Sequence, residues 1–202
     1  MTQELLQGIS RFRKEYFPRY REQYRRLVEE GQHPKTLFIG CADSRVVPDV
    51  ITDAPPGELF VVRNVGNIVP PPKKEGGPHG VSAAIEYAVD ILEVSEIVVC
   101  GHSHCGAVES LYHPPEGASE NLRQWVELAG AARVEGEPVT PELLRRTERR
   151  SILLQLDRLM DFPNVRGRVE ANQINLFGWH YLIEEGEVHI FDVERGEFVL
   201  QE

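Results

Sequence analysis

Three residues of this sequence have the side chains and spacing to grip one metal ion. Cys41 lies at the end of the apolar run TLFIGCA, and His102 and Cys105 form a His-x-x-Cys pair just after a second apolar run, EIVVCG. Such a pair at the start of a turn lets two side chains hold one ion. A third soft ligand from another strand completes Cys2His, a set that suits Zn2+ and leaves its fourth tetrahedral position open, as a catalytic zinc needs. His-x-x-Cys alone is a weak signal, and the competing reading is buried or redox cysteines. Asp43 and Arg45, in CADSR, lie within four residues of Cys41. A carboxylate there can accept a hydrogen bond from zinc-bound hydroxide while the guanidinium holds it ionised and oriented through a charge-assisted bidentate pair. The bland alternatives are a loop ion pair or a helix cap at Asp43 or Ser44. Asp43 has one further option, to bind zinc itself as fourth ligand and close the site to water.

The elements that must position these residues are legible. Thr36–Ala42, Leu59–Arg63 and Glu96–Gly101 are nearly continuous β-branched runs separated by helical patterns, which predicts parallel strands in βαβ units. In open parallel sheets, ligands gather beyond the carboxyl ends of the strands. The ends of the first and third runs therefore bring Cys41, His102 and Cys105 to one edge. Between the second and third runs, the apolar face of Gly80–Val94 predicts a helix packed on the sheet. Helical patterns return over Glu120–Ala132 and Pro141–Met160. Ile174–Ile183, Glu187–Val193 and Glu197–Leu200 then predict a strand and hairpin series that extends the sheet antiparallel. Residues 3–30 carry apolar positions at helical spacing among many charges, predicting one or two amphipathic helices. Pro- and Gly-rich loops are expected at Val69–Pro78 and Pro114–Ser119.

The expected fold is thus α/β: a central parallel sheet with flanking helices, an N-terminal helical arm and antiparallel C-terminal strands. The length of 202 residues suits one domain. It is read as an arm over 1–31, a metal-bearing core over 32–112, and C-terminal helices and edge strands over 113–202. A net charge of -10 argues against nucleic acid or an anionic membrane as partner. No apolar run is long enough to span a bilayer, and the charged start MTQELLQGISRFRKEYF lacks a secretory core, so a cytoplasmic location is expected. In a reducing compartment the odd set Cys41, Cys100 and Cys105 favours metal or catalysis over disulfides. Cys100 is predicted to be a buried small hydrophobe, and His104 to point away from the metal or relay protons. His79, His113, His180 and His189 lack ligand spacing. Gly101 and Gly106 are expected to permit tight turns around the metal loop.

Four ordered segments, CADSR, FVVRNVGN (Phe60–Asn67), AAIEYAV (Ala83–Val89) and GHSHCGAV (Gly101–Val108), together resemble the β-class carbonic anhydrases. The match spans roughly residues 32–110. The resemblance implies zinc on Cys41, His102 and Cys105, one ion per chain, with Asp43 and Arg45 as catalytic dyad. It implies reversible hydration of carbon dioxide to bicarbonate by zinc-bound hydroxide. It also implies substrate-pocket residues at Gln32, Phe60, Val65 and Tyr87, some contributed across a dimer interface, so a homodimer or dimer-based oligomer is expected. The N-terminal helices resemble the arm that clasps the partner subunit in this family.

Some bacterial members carry a second, inhibitory bicarbonate site built on a Trp three residues before the first cysteine ligand, with an Arg and a Tyr. Here Phe38 stands at the Trp position and Val62 replaces a His common in that subgroup, while Arg63 and Tyr181 are retained. The open, plant-like type is therefore expected. Rival readings are hydrolysis of carbonyl sulfide or carbon disulfide in the same site, a non-catalytic structural zinc protein that binds bicarbonate, and a thiol redox enzyme, which would lack a Cys-x-x-Cys pair.

Overall fold

The computed structural model describes residues 2–72 and 79–201. Most of the loop expected over Val69–Pro78 lies outside the described residues.

The strands β1 (Thr36–Cys41), β2 (Leu59–Asn64), β3 (Glu96–His102), β4 (Asn175–Leu182), β5 (Glu187–Asp192) and β6 (Glu197–Leu200) form one sheet in the order β2-β1-β3-β4-β5-β6. Strands β1 to β4 run parallel to one another, and β5 and β6 add antiparallel. The central strands β1 and β3 are buried along almost their whole length. That explains their uninterrupted apolar sequence: a parallel strand covered on both faces has no solvent side to mark with polar residues. Alternation still sorts the side chains. Leu37, Ile39, Ile97 and Val99 enter the main core, while Phe38, Val98 and Cys100 enter a second layer with Phe177, Trp179 and Tyr181.

The helices are α1 (Gln3–Arg11), α2 (Phe17–Glu30), α3 (Pro48–Ile51), α4 (Gly80–Glu86), α5 (Gly106–Glu109), α6 (Glu120–Glu127), α7 (Pro141–Leu159) and α8 (Pro163–Glu170). The helix expected over Gly80–Val94 narrows to α4 plus a π-helical turn at Tyr87–Ile91. The one expected over Glu120–Ala132 stops at Glu127, before a 3-10 turn at Gly130–Ala132. The pattern reading missed α8, whose segment PNVRGRVE offers only Val165 to the core and carries a mid-helix glycine. The first helices match expectation: α1 and α2 run together through a π-helical turn at Phe12–Tyr16. Neither buries a residue, and Leu5, Ile9, Phe12 and Tyr16 form an exposed apolar stripe at helical spacing.

One expectation about the metal loop is corrected. Gly101 does not make a turn. A Cβ built there would lie 2.7 Å from Ile152 Cγ1, so glycine is what lets α7 lie close on the sheet. The left-handed residue of the loop is His104, at φ 57°.

Candidate active site

Strands β1 and β3 are neighbours in parallel register, so Cys41 and His102 end side by side at the carboxyl edge. The loop Ser103–Cys105 then turns back into α5, with Cys105 just before its first turn. The donor atoms of Cys41, His102 and Cys105 lie within 4.8 Å of one another, and all three residues are buried. His102 Nδ1 sits 2.8 Å from the carbonyl of Ser103, which can only accept, so Nδ1 carries the proton. Its Nε2 lone pair is left for the cluster, and that atom is buried with no hydrogen-bond partner among the described residues. A buried imidazole nitrogen without a partner among the described residues, facing two thiols, is a donor arrangement that a metal ion would satisfy. The donor set fits zinc.

Electrostatics favour thiolate at Cys41. Hydrogen bonding from the Cys105 thiol and from the backbone amides of Asp43 and Gly66 holds its pKa well below the ordinary thiol value despite burial. Both amides lie 3.4 Å from Cys41 Sγ. The Cys105 thiol is pushed up, first by donating to Cys41 and then by burial. Burial also pushes Cys100 up, to about 12, and it packs in the layer with Phe38 and Val98, which matches the expectation of a buried small hydrophobe.

Asp43 and Arg45 meet as a fork on a carboxylate. Arg45 Nε donates to Oδ1 at 2.9 Å and Nη2 to Oδ2 at 2.7 Å, while the Arg45 backbone amide reaches Oδ1 at 3.0 Å. These bonds hold the Asp43 carboxyl well below the usual carboxylate range. Oδ2 stands 3.9 Å from His102 Nε2, beside the ligand cluster. Arg63 braces the same loop from β2, donating to the carbonyls of Cys41 (3.0 Å) and Asp43 (2.6 Å). Phe38 packs edge-on against Trp179 at 5.9 Å, and Tyr181 shares that layer.

Of the expected pocket residues, Phe60 and Tyr87 come together, ring to ring at 5.8 Å. Val65 lies at the start of the turn after β2, next to the Gly66 amide. Tyr87 and Val65 remain about half exposed, and Gln32 is exposed on the connector between α2 and β1.

Sequence reasoning missed the support beneath Cys105. The buried Glu148 of α7 accepts from the Cys105 amide through Oε1 (3.3 Å) and faces His180 Nε2 through Oε2 (3.1 Å). Arg149 Nε donates to His180 Nδ1 at 3.4 Å, so His180 accepts on one nitrogen and donates on the other, as a neutral ring does. Burial pushes its pKa down, in keeping with that form. The available signal was spacing: Glu148 shares a helix face with the buried Ile152, Gln155 and Leu159. A second missed brace is Glu184, which accepts from Ser103 Oγ (2.6 Å) and Arg145 Nη2 (2.7 Å).

Comparison with known proteins agrees with this geometry. A family profile described as carbonic anhydrase matches residues 36–188. The carbonic anhydrase of Synechocystis sp. is 40% identical over 209 aligned residues, covering 98% of this chain and 73% of the relative. The solved β-carbonic anhydrase CcaA superposes with a TM-score of 0.86 at 39% identity, covering 98% of each chain. One of two β-carbonic anhydrases from Sordaria macrospora, described as tetrameric, superposes at 0.80 with 26% identity, covering 93% of this chain and 94% of that one. With the Cys41, His102 and Cys105 cluster at the edge of a sheet of this topology, the chain belongs to the β-class carbonic anhydrases.

Proposed function

We propose that this chain catalyses the reversible hydration of carbon dioxide to bicarbonate and a proton, with one Zn2+ held by Cys41, His102 and Cys105. The observation that carries the reading is the convergence of those three buried donors beside a carboxylate gripped by Arg45. Zinc, when bound, supplies a Lewis acid that acidifies water to provide a nucleophile for the carbon of CO2. Asp43 stays ionised under the Arg45 fork and offers Oδ2 as an acceptor that orients the attacking group. Arg45 keeps that carboxylate from turning onto the metal, which supports the open resting state. Arg63 supports it further, since its guanidinium is committed to the two loop carbonyls.

Phe60, Tyr87 and Val65 supply an apolar wall for a small gas and exclude bulk water, and Gln32 donates to the carboxylate-like product. Tyr87 and Val65 are exposed within one protomer, as are the apolar stripe of α1 and its continuation. A second copy covering these surfaces completes the pocket, and the assembly is a homodimer or a multiple of one, working in the cytoplasm. The tetrameric relative from Sordaria macrospora supports such an assembly. Among the described residues, no helix is long and apolar enough to cross a membrane.

Two thiolate ligands offset the charge of the ion, so its acidity is lower than in a site of three neutral histidines, where bound water titrates near about 7. Stopped-flow CO2 hydration by zinc-loaded protein between about pH 6.5 and 9 tests this. Turnover should rise on the alkaline side of neutrality. Turnover confined to carbonyl sulfide, with none on CO2, would reassign the substrate, and a flat profile down to pH about 6 would count against the mechanism.

A further inference from the structure

We infer that Trp125, on α6, is a positioning residue for the metal centre: it sets the backbone amide that donates to the Cys41 thiolate. The inference rests on the metal-site reading above. The indole Nε1 donates to the carbonyl of Val65 at 2.8 Å, although the two residues are 60 apart in sequence. The next backbone amide, that of Gly66, lies 3.4 Å from Cys41 Sγ. The Val65 carbonyl and the Gly66 N–H belong to one trans peptide unit and point in opposite directions. Indole, peptide and thiolate therefore form a single chain of donors and acceptors.

Two physical effects follow from that alignment. The first is orientation. Gly66 has φ 81° and ψ 19°, and a Cβ there would lie 2.8 Å from Ala107 Cβ, so the position admits only glycine. Glycine also makes rotation of the preceding peptide inexpensive. Asn64 clamps the two ends of the turn through its bonds to Ile68, at 2.7 and 3.0 Å, but leaves the Val65–Gly66 peptide itself untouched. Trp125 is the side chain that holds that peptide's carbonyl outward and hence its N–H on sulfur. The second is polarisation: a donor on the carbonyl strengthens the N–H as a donor, and hydrogen bonds to a ligating thiolate tune how strongly it binds and donates charge.

Trp125 also packs in the small core of Leu111, Leu122, Val126 and Leu128, and its ring stacks on His79 at 5.8 Å. The test must separate packing from the N–H. The full-length protein is loaded with Co2+ in place of zinc, and the thiolate-to-cobalt charge-transfer band is compared across variants. Trp125→Phe removes the donor along with part of the ring, and an isosteric benzothiophene side chain at position 125 removes only the N–H. Leu128→Ala loosens the same core and keeps the indole.

Loss of the Gly66 bond raises the energy of the sulfur lone pairs. Both position-125 variants should therefore move the band to longer wavelength than in the wild type. Leu128→Ala should lower the melting temperature with the band in place. If Trp125→Phe fails to fold, the benzothiophene variant decides. A band unmoved in that variant, or moved equally by Leu128→Ala, overturns the role of Trp125 while leaving the metal site standing. A wild-type cobalt protein with no thiolate band overturns the metal-site reading and this inference together.

Discussion

Arg45 holds Asp43 and the metal loop at once: the Nη2 that donates to Asp43 Oδ2 at 2.7 Å also donates to the carbonyl of His104 at 3.0 Å. The fork thus ties the carboxylate of one strand end to the segment that carries Cys105. Lysine keeps the charge but has no fork. Arg45→Lys should retain one zinc per chain and lose about 10–100-fold in CO2 hydration by stopped flow, the usual range for a partner that orients a site group. Full activity in Arg45→Lys would mean that charge alone suffices.

Glu148 does for Cys105 what Arg45 does for Asp43. Glu148→Ala strands the Cys105 amide and the His180 Nε2–H in the interior, at about 1–3 kcal/mol for each buried polar group left unpaired. Urea unfolding of the metal-free protein should show that loss, and chelator competition should show weaker zinc binding. Equal stability of wild type and variant would place those groups in contact with water.

The Glu184 carboxyl is held down to about 2, from an ordinary 4.5, first by the Ser103 hydroxyl, then by its own backbone amide and by Arg145. A depressed folded pKa contributes stability above the unfolded value and loses it as pH falls through the folded one. The stability gap between wild type and Glu184→Gln should therefore be full above pH 4.5 and close as pH drops towards 2. The side chain is 38% exposed, so the gap is modest and shrinks with salt. A gap that stays constant over that window would remove the carboxylate charge from the explanation.

Gly101→Ala forces a methyl against Ile152 and should cost about 1–3 kcal/mol, as overpacking does. Ile152→Ala opens a cavity and should cost about 2–5 kcal/mol alone. Because the added methyl fills part of that cavity, the double variant should be less destabilised than the sum. Strict additivity in denaturant unfolding would show that the two positions do not touch.

The strands and the meeting of Cys41, His102 and Cys105 were legible because their signals are local. Uninterrupted apolar runs mark β1 and β3, and parallel topology places both carboxyl ends at one edge, so Cys41, His102 and Cys105 had to meet. Asp43 and Arg45 were legible because the loop after β1 is short. What sequence did not show was the bracing. Glu148 lies in the highly charged stretch RRTERR, where a carboxylate looks solvated, and only its spacing to Ile152 betrays burial. Trp125 acts on a backbone carbonyl, which has no sequence signature at all. Gly101 read as a turn residue because a glycine beside a functional loop does not reveal whether freedom or smallness is needed.

If the three-residue cluster holds the zinc that makes the chain a CO2 hydratase, metal content and activity must rise together. Zinc should be stripped from the protein and added back stepwise while stopped-flow CO2 hydration is recorded above neutral pH. The rate should climb in proportion to bound zinc, saturate at one ion per chain, and be absent in Cys105→Ser. One zinc bound per chain with no CO2 hydration at any pH would contradict it.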